Sequence, residues 1–215
     1  MGKILLKNIV NDGVASDILI EGSRIAGVFS AGASGGRAEG AEVVDCQGKT
    51  AVPGFVNMHT HAGMSMMRGI GEDIAFHDWL DRIWDVESRI DEEWVYHATK
   101  VACLEMIKTG TTTFNDHYWH MPMAHKAVVE MGLRPVLAYV ICDRNDPEES
   151  ERQKKQCEDV YREYLTWNDQ TVFAVAIHAI YSVREEMILW GTEFARKHGL
   201  KIHIHVSETR KEVED

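Results

Sequence analysis

The spacing of apolar positions changes once along this chain, near residue 50. Before that point, short apolar runs alternate with turn residues. Lys3 to Val10 forms one run, and Asn11-Asp12-Gly13 marks a turn after it. Asp17-Ile18-Leu19-Ile20 and Arg24-Ile25-Ala26-Gly27-Val28 flank Glu21-Gly22-Ser23, which predicts a hairpin. Ala31 to Gly40 is a loop rich in Gly, Ala and Ser, and Glu42 to Cys46 predicts a further strand. A few short strands make a poor core by themselves.

From Ala51 onward, strand-like and helix-like patterns alternate. An apolar run enters through Pro53-Gly54 and predicts a short buried strand. Helices are expected over Phe76 to Arg89 and Glu92 to Lys108. The second carries Val95, Ala98, Val101, Ala102, Leu104 and Ile107 at helical spacing, with Gly110 placed to cap it. Thr111 to Asn115 is β-branched and predicts a strand. Met123 to Met131 predicts a helix ended by Gly132, Pro135 to Cys142 a strand, and Pro147 to Trp167 a long charged helix. Gln170 to Ile177 and Leu200 to Val206 are strands around a helix over Glu185 to Lys197. Glu212 to Asp215 opens another helix. Strand and helix in alternation, with short connections, imply an α/β unit with a parallel sheet. The chain thus divides into residues 1–50 and residues 51–215.

Composition narrows the function classes. With 45% hydrophobic and 27% charged residues, the 215-residue chain has the make-up of a globular protein. A net charge of -11 leaves no basic footprint for nucleic acid or an anionic membrane surface. No apolar run approaches the roughly 20 residues of a membrane helix. The N-terminal apolar patch is too short for a signal peptide. Cys46, Cys103, Cys142 and Cys157 are widely spaced without a Cys-x-x-Cys motif, as expected of free thiols in a cytoplasmic protein.

The chemistry centres on His59-Thr60-His61. Side chains two apart on a strand share a face. Two imidazoles at a strand end can therefore grip one divalent metal ion. Pro53-Gly54-Phe55-Val56-Asn57-Met58-His59-Thr60-His61 resembles the first barrel strand of the amidohydrolase superfamily. Met66-Met67-Arg68-Gly69, Glu72-Asp73 and Trp79-Leu80 are similar to the branch holding methylthioadenosine/S-adenosylhomocysteine deaminases and chlorohydrolase-like enzymes. The resemblance covers the whole chain.

That resemblance implies a TIM-like (β/α)8 barrel beside a small β-sandwich to which residues 1–50 contribute strands. About five barrel strands are present. A complete barrel takes roughly 250 residues, so the expectation is the N-terminal half of a longer protein, inactive as a 215-residue piece. The resemblance also implies a metal-dependent aminohydrolase acting on an adenosine-like nucleoside or another aminated heterocycle. The runner-up is a chlorohydrolase or cyclic amidohydrolase of the same fold. A non-catalytic, metal-binding remnant is the third reading.

Residue roles follow the same resemblance. His205, in His203-Ile204-His205-Val206, is the third metal ligand beside His59 and His61, with His203 as its competitor one pleat deeper. The ion is zinc, with iron as the alternative. Glu208 is the proton shuttle. His178 contacts substrate, although Ile177 and Ile180 stand where the family usually has prolines. Glu87 accepts hydrogen bonds from ribose hydroxyls. Tyr139 occupies a position where arginine occurs in related deaminases, and Arg144 or Arg152 could compensate. His117 and His120 are read as supporting or structural, and Met64, Met66 and Met67 as an apolar wall or core filler. The expected partner is a small-molecule substrate, with neither nucleic acid nor membrane, and a homo-oligomer stays open.

Overall fold

The computed structural model describes residues 2–168 and 170–214. Its chain forms two compact units, Met1–Pro53 and Gly54–Asp215. The first is a mixed four-stranded sheet of β1 (Lys3–Asn11), β2 (Val14–Glu21), β3 (Arg24–Ser30) and β4 (Glu42–Asp45), in the order β3-β2-β1-β4. The two predicted turns join β1, β2 and β3 as antiparallel neighbours, whereas β4 pairs with β1 in parallel. Ile9, Ile18 and Cys46 form its small core. The loop after β3 contains a short 3-10 turn at Gly35–Ala38 that the Gly/Ser composition concealed.

The second unit is a five-stranded parallel sheet in sequential order: β5 (Phe55–Thr60), β6 (Thr111–Tyr118), β7 (Arg134–Ile141), β8 (Val172–Ile177) and β9 (Lys201–Ile204). The connecting helices are α1 (Phe76–Glu87), α2 (Glu92–Thr109), α3 (Met121–Met131), α4 (Pro147–Tyr164) and α5 (Glu185–His198), and α6 (Arg210–Glu214) follows β9. α6 takes up the expected helix start, although Asp215 lies outside the described residues. Local chemistry sets the helix ends. Asp91 caps α2 by accepting from Trp94 N, and Asp146 caps α4 by accepting from Glu148 N. Gly110, Gly132 and Gly199 end α2, α3 and α5 at positive φ.

Two boundaries differ from the sequence reading for a physical reason. α3 starts at Met121 rather than Met123, because Pro122 sits in the first turn, where no N–H is needed. β6 runs to Tyr118 instead of stopping at Asn115. His117 and Tyr118 pair with Ala138 and Tyr139 of β7, so partner strands override the polar composition. The main core lies between sheet and helices and includes Leu137, Ile141, Phe173, Val175, Ile177 and Met187. No helix among the described residues is long and apolar enough to cross a membrane.

Candidate functional site

The C-terminal ends of β5, β6, β8 and β9 converge on a cluster of imidazoles. β5 ends at Thr60, so His59 is on the strand while His61 opens a 3-10 turn over Ala62–Met67. The rings still meet, with Nε2 atoms 3.1 Å apart. His205 follows β9 and presents its Nε2 3.3 Å from that of His61. The ligand atoms of His59, His61 and His205 all lie within 4.8 Å of one another. His203, one pleat back, is outside that group, and its Nε2 contacts His59 Nδ1 at 2.7 Å.

Hydrogen bonding fixes the proton positions. His61 Nδ1 donates to His117 O at 2.7 Å, and His205 Nδ1 donates to His178 O at 2.8 Å. A carbonyl can only accept, so each of these Nδ1 atoms carries the proton. Each neutral ring then turns a bare Nε2 lone pair inward. Two lone pairs about 3 Å apart repel unless a cation lies between them. Nitrogens about 2.0–2.1 Å from one tetrahedral ion stand roughly 3.3–3.4 Å apart, close to the spacing seen here. The donor set therefore fits a metal ion, with backbone carbonyls orienting two of its three imidazoles. Burial depresses the His61 pKa to about 3, which keeps its imidazole neutral.

β6 braces this arrangement. Asp116 is 2% exposed, and its carboxylate accepts from Ala62 N at 2.7 Å, pinning the turn directly after His61. Burial raises the Asp116 pKa to about 7. The sequence reading did not single out Asp116. Its signal is an acid on a strand that opens with three threonines, and such a residue needs a partner when buried.

Glu87, His178 and Glu208 line one cleft. Its walls include Met64, Phe76, Trp79, Leu80, Ile83, Trp84 and Trp119, and its polar groups include His61, Glu87, His117, His178, His205 and Glu208. His178 is buried, and its Nδ1 lies 2.7 Å from Ser182 Oγ. Burial, then the neighbouring His205, lowers its pKa to about 4. Glu208 is exposed and accepts from the Tyr181 hydroxyl at 3.0 Å. Burial raises the Glu87 pKa to about 7, against the opposing effects of Tyr118 and Arg144.

His117 is drawn in further than expected. It is 1% exposed and stacks on His205 at 4.3 Å between ring centroids. His120 caps α3 at positive φ and is exposed. Tyr139 does not line the cleft; its hydroxyl donates toward Gln153 O and Gln156 Oε1. Arg152 is paired with Glu149, whereas Arg144 lies over the Trp84 ring at 4.4 Å. Met64 joins the cleft wall, Met67 is buried and Met66 is exposed.

Comparison with known proteins agrees with this architecture. The sequence profile described as "Amidohydrolase family" matches residues 50–215. The 5'-deoxyadenosine deaminase of Methanocaldococcus jannaschii is 39% identical over 98% of this chain and 50% of its own. An adenosine deaminase from Xanthomonas campestris with bound zinc superposes with a TM-score of 0.77 at 24% identity, over 98% of this chain and 50% of that one. An atrazine chlorohydrolase from Arthrobacter aurescens, complexed with zinc, gives 0.79 at 18% identity over 95% and 53%. These two likenesses show the fold: five parallel strands of a TIM-type barrel, with a separate mixed sheet at the N-terminus. The chain spans about half the length of the curated relatives it matches. From the matched stretch and the shared identity together, the chain belongs to the amidohydrolase family.

Proposed function

We propose that the protein is a metal-dependent aminohydrolase that deaminates an adenosine-like nucleoside. The observation that carries this reading is the convergence of His59, His61 and His205, of which His61 and His205 line an aromatic cleft. In this reading those three side chains hold one divalent ion, zinc before iron. When bound, such an ion makes hydroxide available near neutral pH.

The chain's own residues do the rest. Trp84, Phe76 and Trp79 offer flat apolar walls suited to a heteroaromatic ring. Glu208, steadied by the Tyr181 hydroxyl, takes a proton from the attacking water and delivers it to the leaving amine. The C–N bond to the amino group breaks as a C–O bond forms, and ammonia departs. His178, whose ring is fixed by Ser182, faces the reacting edge of the substrate. Glu87 reaches the sugar hydroxyls from the C-terminal end of α1.

Relatedness to a 5'-deoxyadenosine deaminase at 39% identity supports the nucleoside class. The chlorohydrolase alternative rested on Tyr139, Ile177 and Ile180, none of which lines the cleft. Four buried free thiols fit a reducing cytoplasm. The test is ammonia release by zinc-loaded full-length protein offered 5'-deoxyadenosine, adenosine, methylthioadenosine, S-adenosylhomocysteine and guanine. Turnover of the adenosine series supports the reading; silence on every aminated purine and pyrimidine overturns it.

A further inference from the structure

Glu208 reaches the cleft from the loop between β9 and α6, and the backbone of that loop is held in an unusual shape. Ser207, directly before it, has φ 58°, in the left-handed region that a residue with a Cβ seldom occupies unless its surroundings fix it there. Glu212 supplies the hold. Its Oε1 accepts from Ser207 N at 3.1 Å, and its Oε2 accepts from Glu208 N at 2.7 Å. Glu212 N in turn donates to Thr209 Oγ1 at 3.2 Å, which fixes the helix start from which the side chain reaches back.

A glutamate at this place in a helix ordinarily accepts from the residue just before the helix, here Thr209. The bonds of Glu212 fall one and two residues earlier, on Glu208 itself and on the strained Ser207. The other end of Glu208 is anchored separately, by the Tyr181 hydroxyl at 3.0 Å. Burial, then the hydrogen bond to Glu208, raises the Tyr181 pKa, so that hydroxyl stays a donor. Backbone and carboxyl group of Glu208 are thus set by two different side chains. Glu212 does not line the cleft, so it can act there only through its neighbour.

Resting on the reading of Glu208 as the proton shuttle, we propose that Glu212 is a positioning residue. It clamps the Ser207–Glu208 backbone so that the Glu208 carboxyl group reaches both the attacking water and the leaving amine.

The experiment measures adenosine deamination by zinc-loaded full-length protein, with bound zinc and melting temperature read beside it. Glu212→Ala should lower kcat about thirtyfold, since displacements of about 1 Å cost up to about a hundredfold. KM should stay within about twofold, because the lost effect lies in the chemical step. Glu212→Gln keeps one acceptor oxygen and should recover part of kcat. Because Glu212 acts through Glu208, adding Glu212→Ala to Glu208→Gln should change the residual rate, read at high enzyme concentration, by less than about threefold. If Glu212→Ala does not fold, the isosteric Glu212→Gln carries the same comparison, with a fall in kcat of about tenfold for one lost hydrogen bond. A native protein that deaminates adenosine while both Glu212 variants keep its kcat overturns the proposal and leaves the deaminase reading standing. So does an equal loss with and without the Glu208 carboxylate, or a loss that follows departing zinc, either of which marks a brace for the fold alone. A native protein silent on every aminated purine and pyrimidine overturns both.

Discussion

The Nε2 atoms of His61 and His205 face each other across 3.3 Å although 144 residues separate them in sequence. Each is turned inward by a carbonyl behind it, from His117 and His178 respectively. An ion held between them ties the first strand of the parallel sheet to the last, so metal binding stabilises the folded state by mass action. His61→Ala in the full-length protein should abolish stoichiometric zinc and turnover. It should also lower the melting temperature by several degrees, since about 4 kcal/mol of linkage is available at a thousandfold excess over Kd. Metal analysis and calorimetry check this. Retention of full zinc and activity would sink the site assignment.

Glu87 gives a pH-dependent prediction. Burial raises its pKa from 4.5 to about 7. The folded state thus prefers the protonated acid, and this contribution to stability is fully present below pH 4.5. It is lost as pH rises toward about 7, where the folded protein must carry a poorly solvated carboxylate. Glu87→Gln should leave stability unchanged near pH 4.5 and raise it by about 1 kcal/mol at pH 8, discounted for partial solvation. Its KM for a ribonucleoside should rise about tenfold if the carboxylate accepts from sugar hydroxyls. Urea denaturation at the two pH values and steady-state kinetics provide the readouts. A variant less stable than the native protein at pH 8 would contradict the assignment of cause.

The turn after His61 offers a steric prediction. A Cβ added at Gly63 would lie 2.0 Å from Tyr118 Cε1, well inside contact distance. Tyr118 lines the cleft and neighbours Glu87, so the displacement cannot stay local. Gly63→Ala should cost about 1–3 kcal/mol of stability, as overpacked positions do. It should also raise KM more than it lowers kcat. Equal stability of variant and native protein in denaturant titrations would show that the ring can move aside.

Much of this site was legible because its residues carry their chemistry at fixed spacing. His59 and His61 lie two apart at a strand end, and His205 and Glu208 follow the last strand, so strand periodicity and the family resemblance located them. Asp116 was passed over, and His117 was read as supporting without the detail of how it supports. Their roles depend on strand pairing and burial, which bring β6 beside the His61 turn and which no local pattern encodes. Tyr139 shows what position alone leaves out. It stands where arginine occurs in related deaminases, and its hydroxyl is engaged by α4, at Gln153 O and Gln156 Oε1. The fold itself was readable because helix caps and glycine stops punctuate each unit, while strand ends moved wherever a neighbouring strand supplied pairing.

The sheet edges give the last prediction. Among the described residues, β5 is hydrogen-bonded only to β6, and β9 only to β8. Along β5, Phe55 is 66% exposed, Val56 56% and Met58 69%; on β9, Ile202 is 42% exposed. Parallel strands are ordinarily covered on both faces, and an open apolar edge is a template for pairing with another chain. A protein consisting of residues 1–215 alone should therefore associate through these strands. Light scattering should report a mass above 24.4 kDa that grows with concentration. Val56→Lys and Ile202→Lys, which place a charge on each edge, should shift it toward the monomer. A monomeric native piece that unfolds cooperatively at high concentration would show that the exposed edges are tolerated, and that the association argument is wrong.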